Sequence, residues 1–175
     1  MKKLLSFQHK RHSFYDPNSS EDEFTLLGLE NDLYINIAAL DYGNKNGNPY
    51  VKLVADYNWK NMPAFRLQNA FAISWSEGWY AESWGFTEQQ RFCSYYEHGC
   101  VSYYWQSNKI TKARDQDRLA GVGWIYDLKA ASSGAKGNAY VYLLGNNKSL
   151  IKSTTYSAFK VWYGHDKWNS NISVN

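Results

Sequence analysis

Long hydrophobic runs are missing from this 175-residue sequence. No window approaches the roughly 18 consecutive apolar residues that a membrane-spanning helix requires. The stretch Met1 to Lys10 starts with the basic residues of a secretory signal, but its apolar run stops short of the roughly seven residues of a signal core. We therefore expect neither a transmembrane helix nor a signal peptide in this chain, and the residues by themselves leave the compartment unknown.

Charge of one sign is scarce as well. The 19 basic and 16 acidic residues give a formal net charge of +3, and they are scattered, whereas a nucleic-acid-binding protein concentrates basic residues on one surface. The clearest blocks lie near the N-terminus, where basic residues between Lys2 and His12 precede acidic ones between Glu21 and Glu23. We expect no nucleic-acid partner, a flexible or loosely attached segment at 1–30, and a single domain at 31–175.

Cysteine is limited to Cys93 and Cys100, on either side of Glu97-His98-Gly99, which is typical of a hairpin turn. A loop over 95–98 makes the cysteines face each other and allows a disulfide. A loop over 97–99 puts Cys93 opposite Tyr103 and makes that bridge strained or impossible. Free thiols are the alternative. A metal site is the third alternative. It would have only three ligands, Cys93, His98 and Cys100, and their spacing matches no common zinc module.

Aromatic residues, in contrast, are abundant, with eight Trp and fifteen Tyr. They are densest between Ile73 and Phe86. A reversal at Ser76-Glu77-Gly78 predicts two strands folded back on each other, with Trp75 facing Trp79 across the turn. Strict alternation along the second strand then places two further rings on the opposite face, Tyr80 and Trp84.

Short alternating segments dominate the rest of the chain. Apolar residues recur at every second position in Leu33 to Leu40 and Tyr50 to Trp59, and Asn46-Gly47 between them suits a tight hairpin. The charged stretch Asn108 to Leu119 lacks an apolar stripe and is predicted to be a mobile loop. Further strands are expected at Ala70 to Ser76, Gln90 to Tyr96, Cys100 to Gln106, Ala120 to Leu128, Asn138 to Leu144, Tyr156 to Tyr163 and Asn171 to Val174.

This pattern predicts the fold class. About ten short strands at hairpin spacing, without regular alternation of strand and helix, indicate an all-β protein. We predict an antiparallel β-sandwich, with an open β-barrel as the alternative.

Two groups of side chains have residue types that are used in catalysis. Glu77 and Glu82 have the residue types of a glycosidase acid and base, but a separation of five places them on opposite faces of a strand. His165-Asp166 lacks a nucleophile-elbow motif that would complete a hydrolase triad. We predict no catalytic residue, no cofactor and no metal, and the sequence favours a non-enzymatic protein.

Several sequence segments together resemble a known group of proteins. They are Lys45 to Leu53, Tyr57 to Pro63, Ala72 to Trp75, Ala120 to Lys129 and Tyr163-Gly164-His165. In this order they are similar to a loose group of small, uncharacterised extracellular proteins of Gram-positive bacteria. The resemblance implies a β-rich exported domain and assigns no catalytic residue.

The abundance of rings is the basis of the functional hypothesis. Tyr and Trp bind sugar faces or protein pockets at low entropic cost. We expect a domain that binds a polymer or a protein partner through exposed aromatics, with cell-envelope carbohydrate as the first choice. The alternatives are a membrane-interfacial or toxin-like protein and an intracellular protein inhibitor, and the oligomeric state stays open. The candidate binding residues are Trp79, Tyr80, Trp84, Trp105 and Trp168.

Overall fold

The fold is described by a computed structural model over residues 6–9, 32–63, 68–97, 99–110, 112–145 and 158–165. The described part of the chain contains no helix of the length and apolarity needed to cross a membrane. Ten strands lie within these ranges: β1 (Ser6–His9), β2 (Leu33–Lys45), β3 (Asn48–Trp59), β4 (Gln68–Trp75), β5 (Trp79–Tyr96), β6 (Gly99–Ile110), β7 (Asp115–Asp117), β8 (Gly121–Asp127), β9 (Gly134–Gly145) and β10 (Ala158–His165).

The strands form two five-stranded sheets. Sheet A has the order β1-β10-β4-β8-β7, and sheet B has the order β2-β3-β9-β5-β6. Pairing is antiparallel except that β1 runs parallel to β10. The predicted all-β sandwich is therefore confirmed, but the strands are not uniformly short, because β5 runs for 18 residues.

Strand β3 illustrates how the sequence makes two faces. Its alternate residues from Val51 to Trp59 are buried, and the residues between them are half-buried or exposed. The buried set points toward sheet A. There the Tyr57 ring stacks on Tyr126 of β8 with ring centroids 5.8 Å apart. Sheet B therefore has an inner face that packs on sheet A and an outer face that turns away from it.

A chain of polar contacts also joins the two sheets. Trp59 Nε1 of sheet B donates to the Tyr163 hydroxyl of sheet A at 2.8 Å, and that hydroxyl donates to Asn69 Oδ1 at 2.6 Å. His165 Nδ1 lies 2.8 Å from the same oxygen. Asn69 is fully buried, so these bonds satisfy an amide oxygen that would otherwise be costly to remove from water.

The predicted hairpin at Ser76-Glu77-Gly78 is wrong. β4 pairs with β8 and β10 in sheet A, whereas β5 pairs with β6 and β9 in sheet B. Gly78 adopts a φ of 95°, a conformation that suits glycine, where the chain crosses between the sheets. Trp75 and Trp79 are both buried, but they belong to different layers and are not a cross-strand pair.

A β-bulge near the start of β5 changes its alternation. Ala81 pairs with Leu143 and Ser83 with Tyr142, so Glu82 is an extra residue on the β5 side. The inner face continues from Ala81 to Trp84 instead of to Ser83. Regular alternation would have kept Trp84 outside, and the bulge is the reason that this expectation fails.

Other expectations have mixed outcomes. The Asn46-Gly47 turn is confirmed, with φ of 53° and 79°. The predicted loop at Asn108 to Leu119 is wrong, because β6 continues to Ile110 and β7 joins the edge of sheet A. Residues 6–9, within the segment 1–30, form β1 and pair with β10; the division into a segment at 1–30 and a domain at 31–175 stays a prediction. The expected strand at Asn171 to Val174 lies outside the described residues.

A glycine in β9 gives the first prediction. A Cβ on Gly137 would lie 2.2 Å from Tyr57 Cε1 and 2.8 Å from Phe86 Cε2, and both rings are buried. We expect Gly137→Ala to lower the free energy of unfolding by about 2–3 kcal/mol, measured by chemical denaturation. Gly85→Ala is the matched control, because the Tyr140 ring that it would meet lies on the outer face of sheet B and is partly exposed, not enclosed between the sheets. Equal losses in both variants would contradict this account.

A buried carboxyl in β5 gives the second prediction. Glu88 is only 3% exposed, and burial raises its pKa, although a hydrogen bond from Gln90 and the charge of Lys129 oppose the shift. A raised folded-state pKa means that stability falls as pH rises above the usual glutamate value. We expect Glu88→Gln to raise the free energy of unfolding at pH 7, with the gain disappearing at about pH 4.

Denaturation at both pH values measures this effect, and Glu77→Gln in the exposed turn is the control. A Glu88→Gln variant that is less stable than the native chain at pH 7 would show that the carboxylate contributes to folding.

Candidate binding surface

The outer face of sheet B carries an exposed aromatic surface. Pairing places outward residues of neighbouring strands in rows across the sheet. Rings occupy the rows toward both ends of this face, and polar side chains occupy the rows between them. Each group of rings includes positively charged side chains.

The first aromatic group lies on β3 and β9. The rings of Tyr140 and Tyr142 make an edge contact at 6.0 Å between centroids. Lys52 places its Nζ 5.1 Å from the Tyr142 centroid and 5.8 Å from the Tyr140 centroid. Tyr140 crosses the neighbouring strand at Gly85, where a Cβ would lie 2.6 Å from the ring. The absence of a side chain at Gly85 therefore lets Tyr140 lie close to the sheet.

The second aromatic group lies on β5, β6 and β9. Trp105 is 43% exposed, and its ring reaches across β5 to within 3.5 Å of a Cβ built on Gly134. Lys136 Nζ lies 4.3 Å from the Trp105 centroid. The Arg91 guanidinium lies 5.0 Å from the Tyr103 centroid and 6.0 Å from that of Trp105. These distances are within cation–π range.

A shallow polar depression of about 420 Å³ separates the two groups. Burial raises the pKa of the Asp56 carboxyl there, and a hydrogen bond from Asn36 opposes the shift. Amide and hydroxyl groups in this depression can both donate and accept hydrogen bonds. The outward side chains that line it are Asp56, Asn58, Thr87, Gln89, Lys136 and Asn138.

A second depression of about 330 Å³ lies beyond the first aromatic group. Its charged side chains are paired with neighbours. Lys45 Nζ is 3.2 Å from Glu82 Oε1, and the Tyr50 hydroxyl donates to Asp41 Oδ1 at 3.2 Å. Burial, followed by the bond to Asp41, raises the pKa of Tyr50.

The structure separates the five candidate binding residues. Tyr80 and Trp105 are on the outer face of sheet B. Trp79 is 5% exposed and packs edge-on against Phe159, and Trp84 packs against the core under the Arg118 guanidinium. Neither Trp79 nor Trp84 presents its ring on this surface. Trp168 lies outside the described residues.

Several residues of the surface were missed by sequence reasoning. The signal for two of them is present, because Tyr140 and Tyr142 alternate with the apolar residues Ala139, Val141 and Leu143. Period-two alternation alone puts both tyrosines on one face. Arg91 and Lys136 gave no comparable signal, since only strand pairing brings them to Trp105.

The end of the β5–β6 hairpin extends beyond the sheet as a ribbon, residues 92–96 and 99–104. Pairing of β5 with β9 ends at Arg91 and Gly134, so the ribbon strands pair only with each other. The structure joins Cys93 and Cys100 by a disulfide, with Cα atoms 5.6 Å apart. The exposed large side chains of this ribbon include Tyr95, Tyr96, Val101, Tyr103 and Tyr104.

The strand register around this disulfide has the Cys93–Tyr103 pairing of the second alternative, but it contains a bulge that neither alternative included. Cys93 is opposite Tyr103, and Cys100 is opposite Tyr95, with Val101 as an extra residue in a bulge. We expected the Cys93–Tyr103 register to prevent the bridge, which is wrong. The bulge shifts the alternation of β6 by one residue and turns Cys100 to the same face as Cys93.

The described residues of the two candidate catalytic groups make other contacts or lie at exposed positions. Glu77 lies in the exposed turn after β4, and Glu82 is exposed in the β5 bulge and paired with Lys45. His165 contacts Asn69, and Asp166 lies outside the described residues. Within the described ranges, no group of three or more His, Cys, Asp or Glu side chains is arranged to hold a metal ion.

Comparisons with solved structures find low similarity. The enzymatically active domain of tailspike protein 4 from bacteriophage CBA120 is 11% identical, with a TM-score of 0.25, over 77% of this chain and 19% of that chain. The CBM22-1 and GH10 modules of Clostridium thermocellum endo-1,4-beta-D-xylanase 10B, complexed with xylohexaose, are 3% identical, with a TM-score of 0.23, over 70% of this chain and 27% of that chain. This chain thus spans less than a third of either protein. No family model and no curated protein matches it.

The disulfide gives the third prediction. We expect replacement of Cys93 and Cys100 by serine to lower the free energy of unfolding by at most about 2.5 kcal/mol, because the bridge closes a very short loop. Two paired strands alone are marginally stable in water, so amide exchange should accelerate in residues 92–104 first. Chemical denaturation and hydrogen exchange measure the two effects. Global unfolding of the variant would mean that the sandwich depends on the ribbon.

Proposed function

We propose that this chain is a non-enzymatic carbohydrate-binding domain and that the outer face of sheet B binds a cell-envelope polysaccharide. The observation that carries this proposal is the order of side chains on one face, where a polar depression lies between two aromatic groups. Rings such as Trp105 and Tyr140 offer flat apolar area to the faces of sugars. The amides and hydroxyls between them suit sugar hydroxyl groups.

The shape of the face favours a polymer over a small molecule. Small-molecule sites are usually concave and enclose most of the ligand surface. Both depressions here are shallow, and the aromatic groups are spread over four strands. A polymer can contact such a surface at several successive units, and each contact adds to the affinity.

The fourth prediction tests the rings. We expect Trp105→Ala and Tyr140→Ala each to weaken binding about tenfold to any polysaccharide that binds the native chain, since a few aromatic side chains dominate the affinity of many interfaces. Affinity electrophoresis with purified cell-wall polysaccharides measures the change. Tyr104→Ala is the matched control, because Tyr104 is 50% exposed but lies on the other face of β6 beside Trp105.

If both test variants bind polysaccharide as tightly as the native chain, the outer face of sheet B is not the binding surface. If the native chain binds none of the polysaccharides, the proposed carbohydrate-binding function is wrong.

The ribbon favours a second candidate, attachment to a membrane interface. Exposed tyrosines such as Tyr95 and Tyr96 are amphipathic, and such rings are enriched at the lipid headgroup level. Liposome co-sedimentation separates the two functions. Membrane attachment would be favoured if the native chain binds liposomes but no polysaccharide, and if Tyr95→Ser/Tyr96→Ser abolishes the liposome binding.

A further inference from the structure

Three positive charges lie against the rings of the outer face of sheet B. Lys52 is next to Tyr142 in the first aromatic group. Arg91 and Lys136 are next to Trp105 in the second. Each aromatic group therefore combines flat apolar area with a positive charge.

These three cations have no carboxylate partner in the described part of the chain. The salt bridge found there joins Lys45 to Glu82. Asp41 is opposite Lys52 in the strand register, yet its Oδ1 accepts a hydrogen bond from Tyr50. Surface charges that are not neutralised by a carboxylate can attract an anionic ligand.

Arg91 is also fixed in position. Its Nη2 donates to the Ser133 carbonyl at 3.0 Å, and its Nε lies 3.2 Å from Ser133 Oγ. The backbone N–H of Ser133 donates in turn to the Arg91 carbonyl at 2.7 Å. A guanidinium held in this way loses little conformational freedom when a ligand binds.

The charges are spaced along the face. Lys52 pairs with Tyr142 of β9, six residues along that strand from Lys136. At about 3.4 Å per residue the two positions are about 20 Å apart. A ligand that pairs with both must be long and must carry negative charge at more than one unit.

We propose that the polymer bound by this face is an acidic polysaccharide, whose sugar carboxylates pair with Lys52, Arg91 and Lys136 while its rings contact Trp105 and Tyr140. This inference rests on the proposed carbohydrate-binding function and adds the chemical class of the ligand. The complementary charge favours carboxylate-bearing sugars over neutral ones of the same backbone.

The fifth prediction tests this ligand class with matched polymers. Polygalacturonate, alginate and hyaluronate are each compared with the same polymer after reduction of its carboxylates to alcohols. At about 0.15 M ionic strength we expect at least one acidic form to bind about tenfold or more tightly than its reduced form.

Charge variants supply the second part of the test. We expect Lys52→Gln and Lys136→Gln, made singly, each to weaken binding to that acidic polymer about tenfold and to weaken binding to the reduced form by a smaller factor. Lys160→Gln is the control, because it removes the same charge from the outward side of β10 in sheet A. An equal loss in Lys160→Gln would indicate a nonspecific effect of net charge and overturn the inference.

The outcomes distinguish the two proposals. Equal binding to acidic and reduced polymers, weakened by Trp105→Ala, would overturn the acidic ligand and retain the carbohydrate-binding function. Binding to neither form of any polymer, together with no retention by cell-wall polysaccharides, would overturn both.

Discussion

The stacking of Tyr57 between the sheets is the interaction on which the rest of the structure depends. Its ring contacts Phe71, Tyr126 and Tyr163 of sheet A and Phe86 of its own sheet. The ring needs the space above a neighbouring backbone that has no side chain, which Gly137 provides. Because this packing sets which side of β3 and β9 is inward, it also sets which residues reach the outer face.

The outer face follows from that division. A residue such as Tyr140 points outward because Ala139 and Val141 on either side of it are buried. The aromatic groups are therefore held by a paired sheet, and surfaces built on strands are positioned more precisely than surfaces built on loops. This rigidity suits a ligand with repeating units, because contacts at fixed spacing can be made without prior ordering of the protein.

The sequence allowed the fold class to be predicted, because β3 and the Asn46-Gly47 turn have local signals that need no knowledge of the partner strands. It did not allow the layer of each strand to be predicted. Ser76 to Gly78 has the composition of a hairpin turn, and the same composition serves a crossing between sheets. The choice is made by long-range pairing, which alternation within one segment does not specify.

The candidate surface was predictable only in part for the same reason. Trp105 and Tyr80 lie on the outer face of sheet B, and their residue type and strand position were the signals for choosing them; their role in binding stays a prediction. Trp84 was misplaced because a bulge leaves no clear mark in the sequence, and Trp79 was misplaced because aromatic density describes a core as well as a surface. The cation–ring contacts join residues of different strands, so the pairing of β5, β6 and β9 had to be known first.

The bulge at Glu82 has a consequence for how this protein can change over time. The bulge sets the alternation of β5. Each residue from Trp84 to Arg91 faces inward or outward according to its position after Glu82. Because Glu82 is the extra residue, its removal would restore regular pairing and keep Phe86 inward, whereas one residue added or removed just after Trp84 would send Phe86 to the solvent and Gln89 into the core. We therefore expect relatives of this chain to differ in the length of β5 by one residue at the bulge more readily than by one residue between Trp84 and Arg91.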